Sequence, residues 1–444
     1  MTTPTRQTVA IIGAGPAGLF AAQALAEAGH TVVILNRDIK PGGLAEYGIY
    51  YDKHKMKDGL RKQFRRVLAN ENIHYFGNVR VGNTAADLSL NDLQMMGFDA
   101  VLVAAGAQGT KWLGLPGEEL RGVYHAKDVV YHYNQLPPYS EREFHFGQRV
   151  CIIGVGNVMA DIAHYCIRTL KVQQVTAVAR RGPEERKYTD KEIEYVIGNW
   201  DLDATRAELE RIRERLALVG QTPEPIYDAL VAPLAKAVPP ISDTQMVIQW
   251  YSSPAAIVGD ADGNVRALVV DETEPYEKDG QIKVRNTGTQ REIPCDSVVF
   301  AIGDRVDSDL GLPLNKWGEF DISRTPRYPV DALSYEVAGL DNVFVAGWSR
   351  EASTGLVGAA RKDGTNAANA VARYLVDRTL TGAGGTVEKC RAALATCGHP
   401  IIEKSDWQRL EEIEAQRAKE LGVEAFKFGS NDEMLAAIGR IAAA

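Results

Sequence analysis

Two glycine runs and one pair of arginines are the residues of this chain whose spacing points to chemistry. Gly13-Ala14-Gly15-Pro16-Ala17-Gly18 follows the apolar run Val9-Ala10-Ile11-Ile12, and Gly154-Val155-Gly156-Asn157-Val158 follows Val150-Cys151-Ile152-Ile153. Each apolar run reads as a buried strand and the residues after it as the start of a helix. Glycines in that turn let backbone N–H groups approach a pyrophosphate at the helix N-terminus. One such turn can exist for packing alone. Two of them, both between strand and helix, imply two dinucleotides on one polypeptide, and a flavin (FAD) with a nicotinamide is the usual pair.

Arg180-Arg181-Gly182-Pro183 stands at the tip of the strand after the second run. Two guanidinium forks there can pair with a 2′-phosphate, where an NAD site carries a carboxylate, so NADP is expected. Taken alone, the pair is better read as a solvated basic turn; the glycine run upstream is what favours NADP. The matching tip after the first run is Asn36, whose amide can hydrogen-bond ribose hydroxyls without the charge of the usual acid. Pro41-Gly42-Gly43-Leu44 is either a close backbone approach to a flavin or a plain turn. Thr354-Gly355-Leu356-Val357 opens a long helical stretch. Its N-terminus, aimed at a flavin ring, would stabilise negative charge there by ~0.3–1 kcal/mol; the alternative is an ordinary helix start. Asp161, on the first turns after the second run, reads as structural.

The five cysteines, Cys151, Cys166, Cys295, Cys390 and Cys397, form no Cys-x-x-Cys pair and no tight cluster for iron–sulfur. They read as reduced thiols, which leaves electron flow to the cofactors, and no metal ligands are expected. Hydrophobic content of 45% and charged content of 24% are ordinary for a globular protein. A formal net charge of -8 argues against nucleic acid or an anionic membrane as partner. Met1–Thr8 is short and polar, unlike a signal peptide, and no apolar run reaches the ~20 residues needed to span a bilayer. The expected location is the cytoplasm.

The elements that must position these residues repeat once. Strand 9–12, a helix through Ala28 and strand 31–35 make the first βαβ unit, joined by strand 100–104. Strand 150–153, a helix through Leu170 and strand 175–179 make the second. A helix is expected at 204–218 with a break at Thr222-Pro223-Glu224-Pro225. Alternating strands follow over 247–300, with turns at Asp262-Gly263 and Asp279-Gly280 and a closing strand at 298–302. Val343-Phe-Val-Ala-Gly347 then precedes a helix from about 356 to 378. The expected fold is α/β with two nested Rossmann-like domains: a discontinuous FAD domain at 1–108 and 331–444, and an NADP domain at 109–330 inserted in it.

Together these residues resemble the adrenodoxin reductase-like ferredoxin–NADP reductases, which share a fold with the small subunit of glutamate synthase. The resemblance covers nearly the whole chain. It runs through both glycine motifs, Phe76-Gly-Asn-Val79, Gly106-Ala107, Pro116-Gly-Glu-Glu119, Asp161 and Arg180-Arg181-Gly182-Pro183. It continues in Ala346-Gly347-Trp348, Thr354-Gly355 and a tail with Ser405-Asp-Trp407 and Asp432-Glu-Met-Leu435. The resemblance implies FAD on Gly13, Gly15, Gly18, Leu44, Trp348, Gly355 and Val357, flanked by Ala14, Pro16, Ala17, Gly43, Gly106, Gly347, Thr354 and Leu356. It implies NADP on Gly154, Gly156, Asn157, Val158, Arg180 and Arg181. A His and a Glu near the nicotinamide fall on His54, one position out of the family's His-Pro register, and on Glu192.

The implied activity is hydride transfer from NADPH to the flavin, then release of single electrons to a ferredoxin-like iron–sulfur protein or a flavodoxin, by a monomer or homodimer. Two alternatives stand beside it. One is an electron-input subunit of the glutamate synthase kind, although the cysteine-rich front end of that subunit is missing here. The other is a nucleotide-sensing binding protein without turnover. One departure concerns the partner: where mammalian-type relatives carry a basic docking segment, this chain reads Thr222-Pro-Glu224-Pro-Ile-Tyr-Asp228. Arg206, Arg211, Arg213 and Arg215 lie nearby but alternate with glutamates.

Overall fold

Apolar runs rich in Val, Ile, Leu, Ala and Phe with no polar alternation suit strands buried on both faces, and four of them pair with the aromatic edge strand Ile73–Gly77 into one parallel sheet. The order across it is Val343–Val345, Ala100–Val103, Thr8–Ile12, Thr31–Asn36, Ile73–Gly77. Its register sets Ile11 beside Ile34 on one side and Leu102 on the other, and Leu102 beside Phe344. The computed structural model describes residues 7–378 and 385–442, so part of Met1–Thr8 lies outside the described residues. Among the described residues, no helix is long and apolar enough to cross a membrane.

The chain divides into two units. The first takes the described residues up to Thr110, then Tyr131–Glu141, then those from Gly303 on. One face of its sheet carries helices Pro16–Glu27 and Val357–Val376. Alanines on the first helix and Gly364 on the second bring the two backbones together: a Cβ on Gly364 would collide with the Ala17 carbonyl. The tail joins this core through Trp407 and Leu410 of helix Lys404–Leu421 and Met434 and Leu435 of helix Asn431–Ala437. The opposite face buries Phe76, Leu93, Phe98 and Val101 with Val306, Leu310, Leu312 and Phe320.

That second core corrects the expected domain boundary. Residues 303–330 belong to the first unit, because Val306, Leu310, Leu312 and Phe320 have their apolar partners there. A short antiparallel pairing of Asp304–Arg305 with Gly109–Thr110 ties the same segment in. The inner boundary therefore falls at 302, and Tyr131–Glu141 also returns to the first unit.

The second unit, Lys111–Val130 and Arg142–Ile302, has a parallel sheet in the order Val123–His125, Ser297–Phe300, Arg149–Ile153, Gln174–Val178, Gln245–Gln249. Beside it Ser252–Gly259, Val265–Lys278 and Gln281–Pro294 form an antiparallel sheet. The Asp279-Gly280 turn closes it with φ of 55° and 70°, the left-handed pair that a tight two-residue hairpin needs. Three helical readings change in detail. The helix after the second glycine run is regular over Asn157–His164 and widens to a π-turn over Tyr165–Leu170. The helix expected at 204–218 is split into Leu202–Arg211 and Arg213–Ala217. The expected break at 222–225 is a helix start: Pro223 sits at the first position of Pro223–Val231, where its missing N–H costs nothing.

Candidate functional site

In the first unit the predicted residues converge. Gly13 has φ of 106°, and a Cβ there would lie 2.5 Å from the Ala104 carbonyl oxygen. A Cβ on Gly18 would collide with the Gly13 carbonyl, whereas Gly15 faces open space. Gly42 N–H donates to the Ala14 carbonyl at 2.7 Å, and a Cβ on Gly43 would come within 3.0 Å of Gly15 Cα. Two segments that the sequence offered separately are thus one backbone surface. Gly15 begins helix Pro16–Glu27 with no side-chain cap, which leaves its N-terminal amide field turned outward.

The Gly347–Val357 segment closes on the same strand ends. Ser349 Oγ donates to the Gly106 carbonyl at 3.2 Å, Trp348 Nε1 donates to the Thr354 carbonyl at 2.9 Å, and Gly347 packs on Ala17. Thr354, Gly355 and Leu356 are exposed, Val357 half-buried, and Leu356 begins its helix without a side-chain cap. Asp363, which sequence reasoning missed, organises this turn. It accepts from Gly347 N–H at 2.6 Å, Arg350 Nε at 2.9 Å and Tyr335 Oη at 3.2 Å. An acid nearly two turns into an otherwise amphipathic helix was its only trace in the sequence.

Asn36 does not have the predicted ribose-binding position. It is buried, accepts from Ala14 N–H at 2.9 Å and donates to the Asp38 and Lys40 carbonyls at 2.7 and 3.1 Å. Its amide is spent holding the glycine turn against the loop that follows.

In the second unit Gly154 has φ of 115° and abuts the Ala301 carbonyl, while Gly156 faces open space and begins helix Asn157–His164 without a side-chain cap. Asn157 Oδ1 accepts from Thr189 N–H at 2.8 Å, and Val158 is exposed. Arg180 and Arg181 are both exposed, and neither forms an ion pair among the described residues. Their backbone is fixed: Thr273 Oγ1 donates to the Arg180 carbonyl at 2.8 Å and Tyr251 N–H to that of Arg181 at 3.2 Å. This is a rigid turn with two uncommitted guanidiniums. The neighbouring arginines differ. Arg211 and Arg215 are committed to Glu208 and Glu272, Arg213 bridges Glu210 and Glu224, and Arg206 pairs with Asp203.

His54 opens helix His54–Leu68 in the first unit, with Nε2 3.9 Å from Glu424 of the tail. Glu192 is half-buried in helix Asp190–Ile193 of the second. Around the Gly42–Leu44 loop lies a charged cluster invisible in the sequence. Glu46 is buried with Arg61 Nη2 and Lys427 Nζ each at 2.7 Å and Lys40 at 3.7 Å, and Lys40 also pairs with Glu414. Burial alone would raise the Glu46 carboxyl, but Lys427, Lys40 and Arg61 hold it well below the usual range.

Lys57 lies beside this cluster, donating to Asn134 Oδ1 at 2.5 Å. Burial, aided by Lys427, pulls its ammonium down to about 6. The unfolded chain therefore binds a proton that the folded protein lacks between pH 6 and about 10.5, and stability rises with pH across that window. Lys57→Met should stabilise the fold by up to about 4 kcal/mol at pH 7, less what Asn134 loses, with the gain fading towards pH 10. Thermal unfolding at pH 6 and pH 9.5 checks this; an equal gain at both would reject it.

Spacing also hid a cysteine contact. Cys151 meets Cys295, which lies between strands Gln281–Pro294 and Ser297–Phe300, in the second unit's core, where a hydrogen bond that keeps the proton on Cys151 and burial push its thiol well above the usual range. Cys390 is buried and pushed up to about 11. Such thiols are poor nucleophiles.

Residues 7–199 match the family model described as pyridine nucleotide-disulphide oxidoreductase. The NADPH-ferredoxin reductase FprA of Mycobacterium leprae is 28% identical over 460 residues, covering 96% of this chain and 97% of that protein. The mitochondrial NADPH:adrenodoxin oxidoreductase of Homo sapiens is 25% identical, covering 97% of this chain and 92% of its own. Among solved structures, Mycobacterium tuberculosis FprA in complex with NADPH superposes with a TM-score of 0.81 at 25% identity, covering 98% of this chain and 99% of that one.

Proposed function

We propose that this chain, which is similar over nearly its whole length to NADPH-ferredoxin and NADPH:adrenodoxin reductases, is an FAD-dependent oxidoreductase that takes hydride from NADPH and passes single electrons to a ferredoxin-type iron–sulfur protein. The observation that carries this reading is the pair of uncapped helix N-termini, each behind a glycine turn that any Cβ would fill. The residues fit both groups. FAD would rest on Gly13–Gly18 and Gly43, with Trp348 and Thr354–Val357 completing its site. NADP would rest on Gly154–Val158 with its 2′-phosphate on Arg180 and Arg181.

The chemistry that FAD supplies when bound is the exchange of a two-electron hydride for one-electron steps. The protein contributes position and field. The N–H groups of Gly15, Ala17 and Gly18, and those of Gly156–Val158, would offset pyrophosphate charge. The Leu356 helix start favours negative charge at its end. Asp363 fixes the Gly347–Arg350 turn so that these groups need no rearrangement. We assign His54 and Glu192 positioning roles beside the nicotinamide, since hydride transfer requires no acid or base. A flavodoxin is a second acceptor of the same class, and a monomer or homodimer suffices. The committed arginines at 206–215 offer no free basic face to an acidic partner.

The purified protein should be yellow and release FAD on denaturation, and anaerobic NADPH should bleach the visible flavin band within the time of turnover. Release of FMN, or a colourless protein that FAD cannot reconstitute, would sink the reading. A flavin that stays oxidised under NADPH would instead mark a nucleotide sensor.

A further inference from the structure

Carboxylates in the second unit that lie away from bulk solvent have partners. Glu208 binds Arg211 and Trp250 N–H, Glu272 binds Arg211 and Arg215, and Asp296 binds Arg149. Glu185 differs. Its buried carboxylate oxygens have no ion-pair partner, and only the backbone N–H groups of Gly182 and of Glu185 itself lie near enough to hold its charge. It ends the short turn Pro183–Glu185 that follows the arginine pair, and its own N–H donates to the Gly182 carbonyl at 3.2 Å.

The placement of this carboxylate is specific. A Cβ built on Gly182 would lie 3.1 Å from Glu185 Oε2 and would strike Tyr251 Oη. The carboxylate therefore packs on the backbone of the residue directly after Arg181, and only glycine leaves it room. Its charged neighbours are Arg181 and Glu184. Arg181 attracts it without forming an ion pair, and burial pushes the Glu185 carboxyl up more than Arg181 holds it down. Tyr251 is pushed above its usual range by burial and by Glu185. An unpaired negative charge here lowers the potential at the arginine turn. The same charge would repel a phosphate brought to that turn, while leaving an unphosphorylated ribose almost unaffected.

We propose that Glu185 is a specificity-determining residue that weakens the hold of the Arg180–Arg181 turn on a 2′-phosphate, and so moderates the preference for NADPH over NADH. This rests on the reading of that turn given under the proposed function. Acting through the field and not by contact, it is a positioning residue with an electrostatic effect.

Calorimetry on the flavin-loaded protein with 2′,5′-ADP and 5′-AMP tests it, since neither probe reacts. Glu185→Gln should tighten 2′,5′-ADP binding about tenfold and leave 5′-AMP within a factor of two. Glu185→Asp, which keeps the charge, should stay near the wild type for both. The Gln variant should also unfold at a higher temperature, because it removes an unpaired buried charge; should it prove insoluble, Glu185→Met removes the same charge. A gain in affinity confined to the phosphorylated probe is not what local structural damage produces. Unchanged or weakened 2′,5′-ADP binding in Glu185→Gln, with selectivity intact in the wild type, would overturn this inference alone. If the wild type binds the two probes equally, the assignment of the arginines fails and the inference falls with it.

Discussion

Replacing Arg180 and Arg181 together by alanine should raise the KM for NADPH by roughly 10²–10⁴-fold, since each charge-assisted hydrogen bond to a 2′-phosphate is worth about 1.5–3 kcal/mol. Steady-state kinetics with NADH should be nearly unchanged. The structure gives a reason to expect so clean a split. Both guanidiniums are exposed and unpaired, while the turn's backbone is held by Thr273 and Tyr251, so the fold does not depend on the arginine side chains. Equal loss of both nicotinamides would show the pair to be structural.

Glu46→Ala should have the largest effect on stability. It would leave Lys40, Arg61 and Lys427 around an empty site, and breaking a buried pair in this way costs about 3–5 kcal/mol. The folded carboxyl lies well below its ordinary 4.5, so its contribution is complete above that pH and is lost as pH falls through the folded value. Urea unfolding at pH 7 and pH 4 measures both effects. Adding Lys427→Met should recover part of the loss, because it removes one of the stranded cations. A Glu46→Ala protein as stable as the parent would mean that water reaches the cluster freely.

What could be read from the sequence divides along the length scale of the interactions. The glycine turns, the apolar strands before them and the arginine tip are local patterns, and each stands where its spacing predicted. Recognising both dinucleotide units needed only some thirty residues at a time. Asn36 was misread because its type suits ribose as well as it suits backbone, and only the position of Ala14 decides between them. The boundary near 330 was misplaced because Val306, Leu310 and Phe320 look the same whichever core receives them. Lys40, Glu46 and Lys57 are ordinary surface residue types, and their burial depends on Glu414, Lys427 and Asn134 far along the chain. Asp363 was missed for the same reason: its partner Gly347 is nearby, but only the folded turn shows that the N–H points at it.

The strand order of the first unit sets a timetable for synthesis. Strand Thr8–Ile12 and its neighbours leave the ribosome early, but the edge strand Val343–Val345 and the helix that packs Gly364 on Ala17 come more than two hundred residues later. At about 5–20 residues per second, the nascent first sheet waits roughly 13–50 s between Thr110 and the end of helix Val357–Val376. The second unit, by contrast, has its entire parallel sheet once Phe300 has emerged. The unit begun first is thus finished last, and the exposed flank of Ala100–Val103 in that interval is where a chaperone would be most needed.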